Sequence, residues 1–227
     1  MTTKNDLIKE LIDFGYLKTP RIVEAFRAID RVDFVRDEYK DEAYENYPLP
    51  IGGGQTISQP LTVAFMLELL SPKPGEKILD IGAGSGWQSC LLAYIASKPR
   101  TYADKTRTVA ENPRESACVV AVERIKELCE FAKENIEKYK FISNGIVKFY
   151  CEDATAGLPA EGPFDKIIAA AAASRDIPEE WKNQLKPGGK IVAPVGGSIW
   201  FFEKTKEGEW KEQEFPGFAF VPLIKDK

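Results

Sequence analysis

The chain has 227 residues, 44% hydrophobic and 29% charged, a balance that argues against wholesale disorder and suits one large α/β domain. The formal net charge is −4, which argues against a general basic surface for nucleic acid. Histidine is absent, so a Ser-His-Asp triad, a Cys-His pair and any histidine-ligated metal are excluded within the chain, and chemistry must rest on other side chains or a cofactor.

The start, "MTTKNDLIKELIDFGY", has no long apolar run, so no signal peptide is expected. No segment approaches the length of a membrane span, and the cytoplasm is the expected compartment. "DLIKELIDFGYL" puts Leu7, Ile8, Leu11, Ile12 and Tyr16 on one helical face, with Gly15 as C-cap. "TPRIVEAFRAI" predicts a second helix, with Thr19 as N-cap and Pro20 in the first turn. "YPLPIGGGQTISQP" reads as a loop, and "LTVAFMLELL" as a helix capped by Ser58.

From Glu76 onward strands alternate with helices. "EKILDIG", "ACVVAVE", "GIVKFYCED", "FDKIIAAAA" and "GGKIVAPVG" read as five strands, with helices at "SGWQSCLLAYIA" and "RIKELCEFAKENIEKY". That alternation predicts an α/β fold with a mostly parallel sheet and helices on both faces. A polar insertion, 97–116, breaks the rhythm. "SIWFFEKTKEGEWKEQEF" predicts a β-hairpin turning near Gly208, and "FVPLI" closes the chain. The expected organisation is a single domain, 1–227. A helical N-terminal extension with a loop fills 1–60, a ligand-binding core 61–197, and the hairpin with a closing segment 198–227. The four cysteines form no C-x-x-C pair, and Cys90, Cys118 and Cys151 lie in or beside apolar segments. Buried thiols are expected there, rather than disulfides or zinc ligands.

Two motifs carry the chemistry. In "LDIGAGSGW", Asp80 ends a strand, and Gly82, Gly84 and Gly86, with Ser85 between the last two, let the backbone turn tightly at a helix N-terminus. The spacing is G-x-G-x-G, and Trp87 stands where a dinucleotide fingerprint has its last glycine. An acid before the turn disfavours a pyrophosphate and suits a cationic ligand. S-adenosylmethionine carries a sulfonium and an ammonium and no phosphate. Glu123 ends the second strand, where its two oxygens suit ribose hydroxyls, and Asp153 ends the third, where a carboxylate suits an adenine amino group. Any one of these acids reads equally well as a helix cap. Three in succession behind a glycine turn point to a methyl donor, hence to an S-adenosylmethionine-dependent methyltransferase. The other motif, "IGGGQTISQP", has three glycines but neither a lysine nor an internal charge, which argues against a phosphate loop.

Taken together, "PLPIGGGQTIS", "LDIGAGSGWQ" with "VERI", "LKPGGKIVAPVG" and "FVPLI" resemble, in order, the protein-L-isoaspartate O-methyltransferase family over nearly the whole chain. The resemblance implies a Rossmann-like methyltransferase fold, S-adenosyl-L-methionine as donor with S-adenosyl-L-homocysteine as product, and isoaspartyl-containing proteins and peptides as partners. It implies Ser58 as the active-site serine, and Gln55, Thr56 and Ile57 as a loop over cofactor and substrate. Asp80, Gly82, Gly84, Ser85, Gly86, Glu123 and Asp153 fall at cofactor positions, Thr56, Ser58, Val221 and Leu223 at substrate positions. No metal, nucleic acid or membrane is implied, and a monomer is expected. The chain departs from the family pattern at Leu61, where histidine or tyrosine is frequent, and at Glu152 and Ala154 around the adenine acid. Ala170 and Ala219 also differ from it, and the insertion 97–116 is longer than usual. Two other readings stand beside this one: a related O-methyltransferase acting on another peptide, a small acid or an RNA base, and a cofactor-binding module without turnover.

Overall fold

The structure is a computed structural model, and it describes residues 1–97 and 118–223. The insertion expected at 97–116 lies outside the described residues, apart from Ser97. Helices α1 (Lys4–Asp13) and α2 (Pro20–Ala28) form the N-terminal extension, followed by 3₁₀ turns at Arg31–Phe34 and Asp37–Glu42. Thr3 caps α1, and Gly15, at φ +73°, lets the chain turn off its end. Next come the short strands β1 (Leu49–Gly52) and β2 (Gln55–Ile57) and helix α3 (Pro60–Leu70). The core follows as β3 (Ile78–Ile81), α4 (Trp87–Ala96), β4 (Val119–Glu123), α5 (Lys126–Lys138), β5 (Val147–Cys151), β6 (Phe164–Ala169), α6 (Glu179–Asn183) and β7 (Leu185–Val195). Strands β8 (Ser198–Lys204) and β9 (Trp210–Pro216) close it.

Seven strands make one sheet, in the order β5-β4-β3-β6-β7-β8-β9. The first five run parallel and the last two antiparallel, so the expected C-terminal hairpin extends the main sheet. Strand alternation divides the core in two. Ile78, Val119, Ala121 and Ile168 pack with α1 to α5 on one face. Leu79, Ile81, Val120 and Val122 pack with Leu158, Ile177 and Trp181 of the α6 side on the other. Order reverses between β3 and β6, whose crevice at the carboxyl edge is the usual ligand position in open α/β sheets. Among the described residues, no helix is long and apolar enough to cross a membrane, and no cluster of three or more acidic or cysteine side chains suits a metal.

Three expectations are corrected. Cys129 and Cys151 form a disulfide with their Cα atoms 5.8 Å apart, so the expectation against disulfides fails, and with it the buried thiol expected at Cys151. The cause is tertiary: β5 returns parallel to β4 with Cys151 opposite Glu123, and α5 packs beside that edge. The N-cap of α3 is Gln59, with Pro60 in the first turn, and Ser58 makes no capping bond. Finally, "IGGGQTI" is a two-stranded hairpin rather than an irregular loop.

Candidate active site

The hairpin is built by its glycines. Leu49 pairs with Ile57 and Pro50 with Thr56, while Gly52, Gly53 and Gly54 take φ +100°, +58° and +70°, values costly to any residue with a Cβ. A Cβ on Gly52 would lie 2.9 Å from the Glu127 carboxylate and 3.0 Å from the Arg36 guanidinium. The hairpin tip is therefore laid against the start of α5. Arg36 secures it, donating to the Ile51 carbonyl at 2.7 Å and pairing with Glu127 at 2.8 Å. Between these anchors the hairpin crosses the glycine turn, where a Cβ on Gly84 would touch Ile51 at 3.4 Å. Buried Ile57 anchors β2, while Thr56 is exposed and Gln55 and Ser58 are half-buried.

Beneath the hairpin, β3 delivers the "LDIGAGSGW" turn. Gly82 and Ala83 donate to the Val122 carbonyl, both at 2.9 Å, which fastens the turn to β4. Glu123 fastens it again: one carboxylate oxygen accepts from Gly84 N–H at 2.9 Å, the other from Arg124 and Ile125 N–H at 2.8 and 2.9 Å. The oxygen facing Gly84, with a single hydrogen bond, keeps acceptor capacity for a ligand hydroxyl. Asp153 accepts from Thr155 N–H at 2.8 Å in an Asx turn beyond β5. Ser85 Oγ accepts from Trp87 N–H at 3.4 Å.

Hairpin, turn and strand ends together line a cleft of about 800 Å³. Its walls include Gln55, Thr56, Ile57 and Ser58 from the hairpin, Gly82, Gly84 and Ser85 from the turn, Glu123 and Asp153 from the strand ends, and Val221 and Leu223 from the C-terminal segment. That last segment is placed by its backbone. Ala172 N–H donates to Val221 and Leu223 N–H to Ala172, both at 2.8 Å, so it lies parallel to the chain leaving β6. Leu61, Glu152, Ala154, Ala170 and Ala219, single-residue departures from the family pattern, line the same cleft.

Two expected cofactor residues do not reach the wall. Gly86 faces α5, where a Cβ would meet Ile136 Cγ1 at 2.8 Å and the Ala132 carbonyl at 3.1 Å. Its glycine is required by helix packing and by φ +86°. Asp80 is fully buried. Alternation along β3 puts it on the α4 face, where it accepts from Gln88 Nε2 at 2.7 Å and Ser89 Oγ at 2.6 Å. Burial pushes its pKa up to about 6; the hydrogen bonds from Ser89 and Gln88 oppose that rise, and the Glu123 charge adds to it. Asp80 is thus a charge behind the wall, relayed by Gln88, which does line the cleft. Tyr16 and Phe218 are cleft residues outside the quoted motifs, and Gln88, the last residue of "LDIGAGSGWQ", is one to which the sequence reading assigns no role. Gln88 alone carried a signal, since it lies in the first turn of the helix that the glycine turn opens. Phe218 stacks on Phe65 with ring centres 5.5 Å apart, a contact made only in three dimensions.

Residues 2–227 match the model of the family described as Protein-L-isoaspartate(D-aspartate) O-methyltransferase. The chain belongs to this family. It is 41% identical over 225 residues to a protein-L-isoaspartate O-methyltransferase of Methanopyrus kandleri, covering 97% of this chain and 91% of that protein. A protein of the same name from Aeropyrum pernix is also 41% identical, over 96% of this chain and 78% of that protein. Among solved structures, a putative protein-L-isoaspartate O-methyltransferase of Plasmodium falciparum, in complex with S-adenosyl-L-homocysteine, aligns over 100% of both chains with TM-score 0.78 and 25% identity. A further protein-L-isoaspartate O-methyltransferase has TM-score 0.79 and 24% identity, covering 98% of this chain and 66% of that one.

Proposed function

We propose that the chain is a protein-repair methyltransferase that moves a methyl group from S-adenosyl-L-methionine to the free α-carboxylate of L-isoaspartyl residues in damaged proteins and peptides. One observation carries this reading. The neutral hydroxyls of Thr56 and Ser58 line the same cleft as a glycine turn flanked by two carboxylates, in a family member that has no histidine.

The residues fit the donor. A cleft of about 800 Å³ matches a nucleoside joined to an amino acid. Glu123, Asp153 and the Gly82–Ser85 backbone would hold it, with no phosphate to repel the acids. When bound, the donor supplies a methyl already activated on a sulfonium. The acceptor is a carboxylic acid of ordinary pKa near 4, ionised at neutral pH without a base. The task of this chain is then placement. Thr56 and Ser58 hydroxyls orient the acceptor oxygens, and the hairpin and the 218–223 segment hold the peptide and exclude water. Alignment of this kind supplies roughly 7–11 kcal/mol of a barrier. A lysine in place of these hydroxyls would hold the ground-state anion too tightly and waste that gain. The ester product is open to attack by the next amide nitrogen, which breaks the ester C–O bond, releases methanol with the amide proton, and gives a succinimide whose hydrolysis returns part of the residue to normal aspartate.

The reading includes one catalytic domain over 1–227, a monomer, and a cytoplasmic setting. The test is transfer of radiolabelled methyl to an isoaspartyl peptide beside its aspartyl twin. Label on the first alone is the expected result. Donor binding without label on either peptide would refute it.

A further inference from the structure

Arg31, in the 3₁₀ turn after α2, is 2% exposed, and its two terminal nitrogens are spent on main-chain carbonyls, while among the described residues its buried Nε has no partner. Nη1 donates to Ala43 at 2.7 Å and Glu45 at 3.4 Å. Nη2 donates to Tyr47 at 3.0 Å and to Ser58 at 3.2 Å. The guanidinium carbon lies over the Trp87 ring, 5.4 Å from the ring centre. Among the described residues, no carboxylate forms an ion pair with it. Burial without such a partner lowers its pKa to about 9, which leaves it charged at neutral pH.

Three features set this cation apart from an ordinary strut. Tyr47 precedes β1 and Ser58 follows β2, so a single nitrogen ties together both feet of the hairpin. Trp87, whose ring lies under the guanidinium carbon, opens α4 and lines the cleft, so the same group joins the acceptor loop to the donor turn. A buried charge without a counter-charge is costly, and an apolar side chain of similar size often serves a purely structural need as well.

We propose that Arg31 is a positioning residue for the methyl acceptor. It fixes the hairpin that presents Thr56 and Ser58, and it lays an uncompensated positive charge one layer behind them that draws the acceptor carboxylate into the cleft. Because both terminal nitrogens are occupied by carbonyls and Nε is buried, it attracts the anion without the direct ion pair that would trap it. This role rests on the carboxylate acceptor proposed above.

The test compares Arg31→Lys and Arg31→Met in the full chain, with three readouts: amide hydrogen exchange over 49–57, affinity for S-adenosyl-L-homocysteine, and kcat and KM on an isoaspartyl peptide. Lysine keeps the charge and loses the fork. It should speed hairpin exchange and lower kcat, each about tenfold, while KM and product affinity stay within about threefold. Methionine loses the charge as well and should also raise KM about tenfold. A lysine variant with wild-type hairpin exchange and wild-type kcat would overturn the clamp. Equal KM values in the two variants would overturn the charge. If the methionine variant does not fold, a lysine variant whose KM rises as much as its kcat falls refutes the charge instead. If the wild-type chain leaves isoaspartyl peptides unmethylated, the acceptor reading falls with the charge role, and exchange in the lysine variant still decides the clamp.

Discussion

Removing the charge of Asp80 should make the protein more stable and less able to bind its ligand. Asp80 is fully buried beneath the glycine turn, and burial lifts its pKa from 3.8 to about 6. The folded-state value lies above the unfolded one, so the folded chain holds the proton more tightly. The resulting penalty is absent below about pH 4, grows as pH rises, and is complete above about pH 6. A shift of about two units at 1.36 kcal/mol each makes the penalty roughly 3 kcal/mol at pH 7.5. Asp80→Asn keeps the shape, an oxygen to accept from Gln88 Nε2 and an amide to donate to Ser89 Oγ. Urea unfolding should find this variant about 2 kcal/mol more stable than wild type at pH 7.5, with the gain vanishing by about pH 4. Calorimetric affinity for S-adenosyl-L-homocysteine, which keeps the ammonium, should fall about tenfold or more. A variant no more stable at pH 7.5, and with unchanged affinity, would refute both the cost of the charge and its purpose.

Three further outcomes are expected. Reducing the Cys129–Cys151 bond, which spans 22 residues, should cost roughly 3 kcal/mol on the loop-entropy model; scanning calorimetry with and without reductant, beside Cys151→Ser, reads it. Gly86→Ala should destabilise by about 2 kcal/mol or more through its contacts with Ile136 and Ala132, whereas Gly54→Ala, with no atom within 4 Å of the new methyl, should cost only about 1 kcal/mol of backbone strain; denaturant midpoints of the two compare them. Ser58→Ala should lower kcat on an isoaspartyl peptide about tenfold or more while leaving product affinity within about twofold, measured by turnover beside calorimetry.

Local sequence made the α/β alternation readable because the strands are short apolar runs, four of the five ending in an acid or glycine, a pattern set by hydrogen-bond period and burial alone. Cleft residues were legible where the backbone itself is the device, as at Gly82 and Gly84, or where strand ends deliver a side chain to one edge, as at Glu123 and Asp153. Asp80 shows the limit. Its place at a strand end suggested a ligand contact, but alternation turns it under α4, where only the donors of Gln88 and Ser89 explain it. Gly86 shares a motif with Gly82, yet its constraint comes from α5, more than forty residues on. The disulfide had no local signal, since Cys129 and Cys151 meet only through the parallel pairing of β4 with β5. Nothing local in "AIDRVDF" singles out Arg31, because burial of an arginine is a tertiary fact.

Two buried charges explain why "IGGGQTISQP" carries none. Asp80 lies under the turn proposed to receive a cationic donor, and Arg31 lies under the feet of the hairpin proposed to receive an anionic acceptor. Each charge is opposite to the ligand on its side, and each is held back by one layer of neutral groups: Gln88 and the glycine backbone in one case, Ser58 and its carbonyl in the other. Direct contact with either ligand would stabilise the separated charges of the ground state, and those charges are neutralised as a methyl passes from sulfonium to carboxylate. Charges set one layer back still gather the two ligands and resist the transfer less. A charge moved into the first layer, as in Thr56→Lys, should therefore lower KM for an isoaspartyl peptide while lowering kcat by more, so that kcat/KM falls. A rise in kcat/KM for that variant would show that the neutrality of the hairpin has another cause.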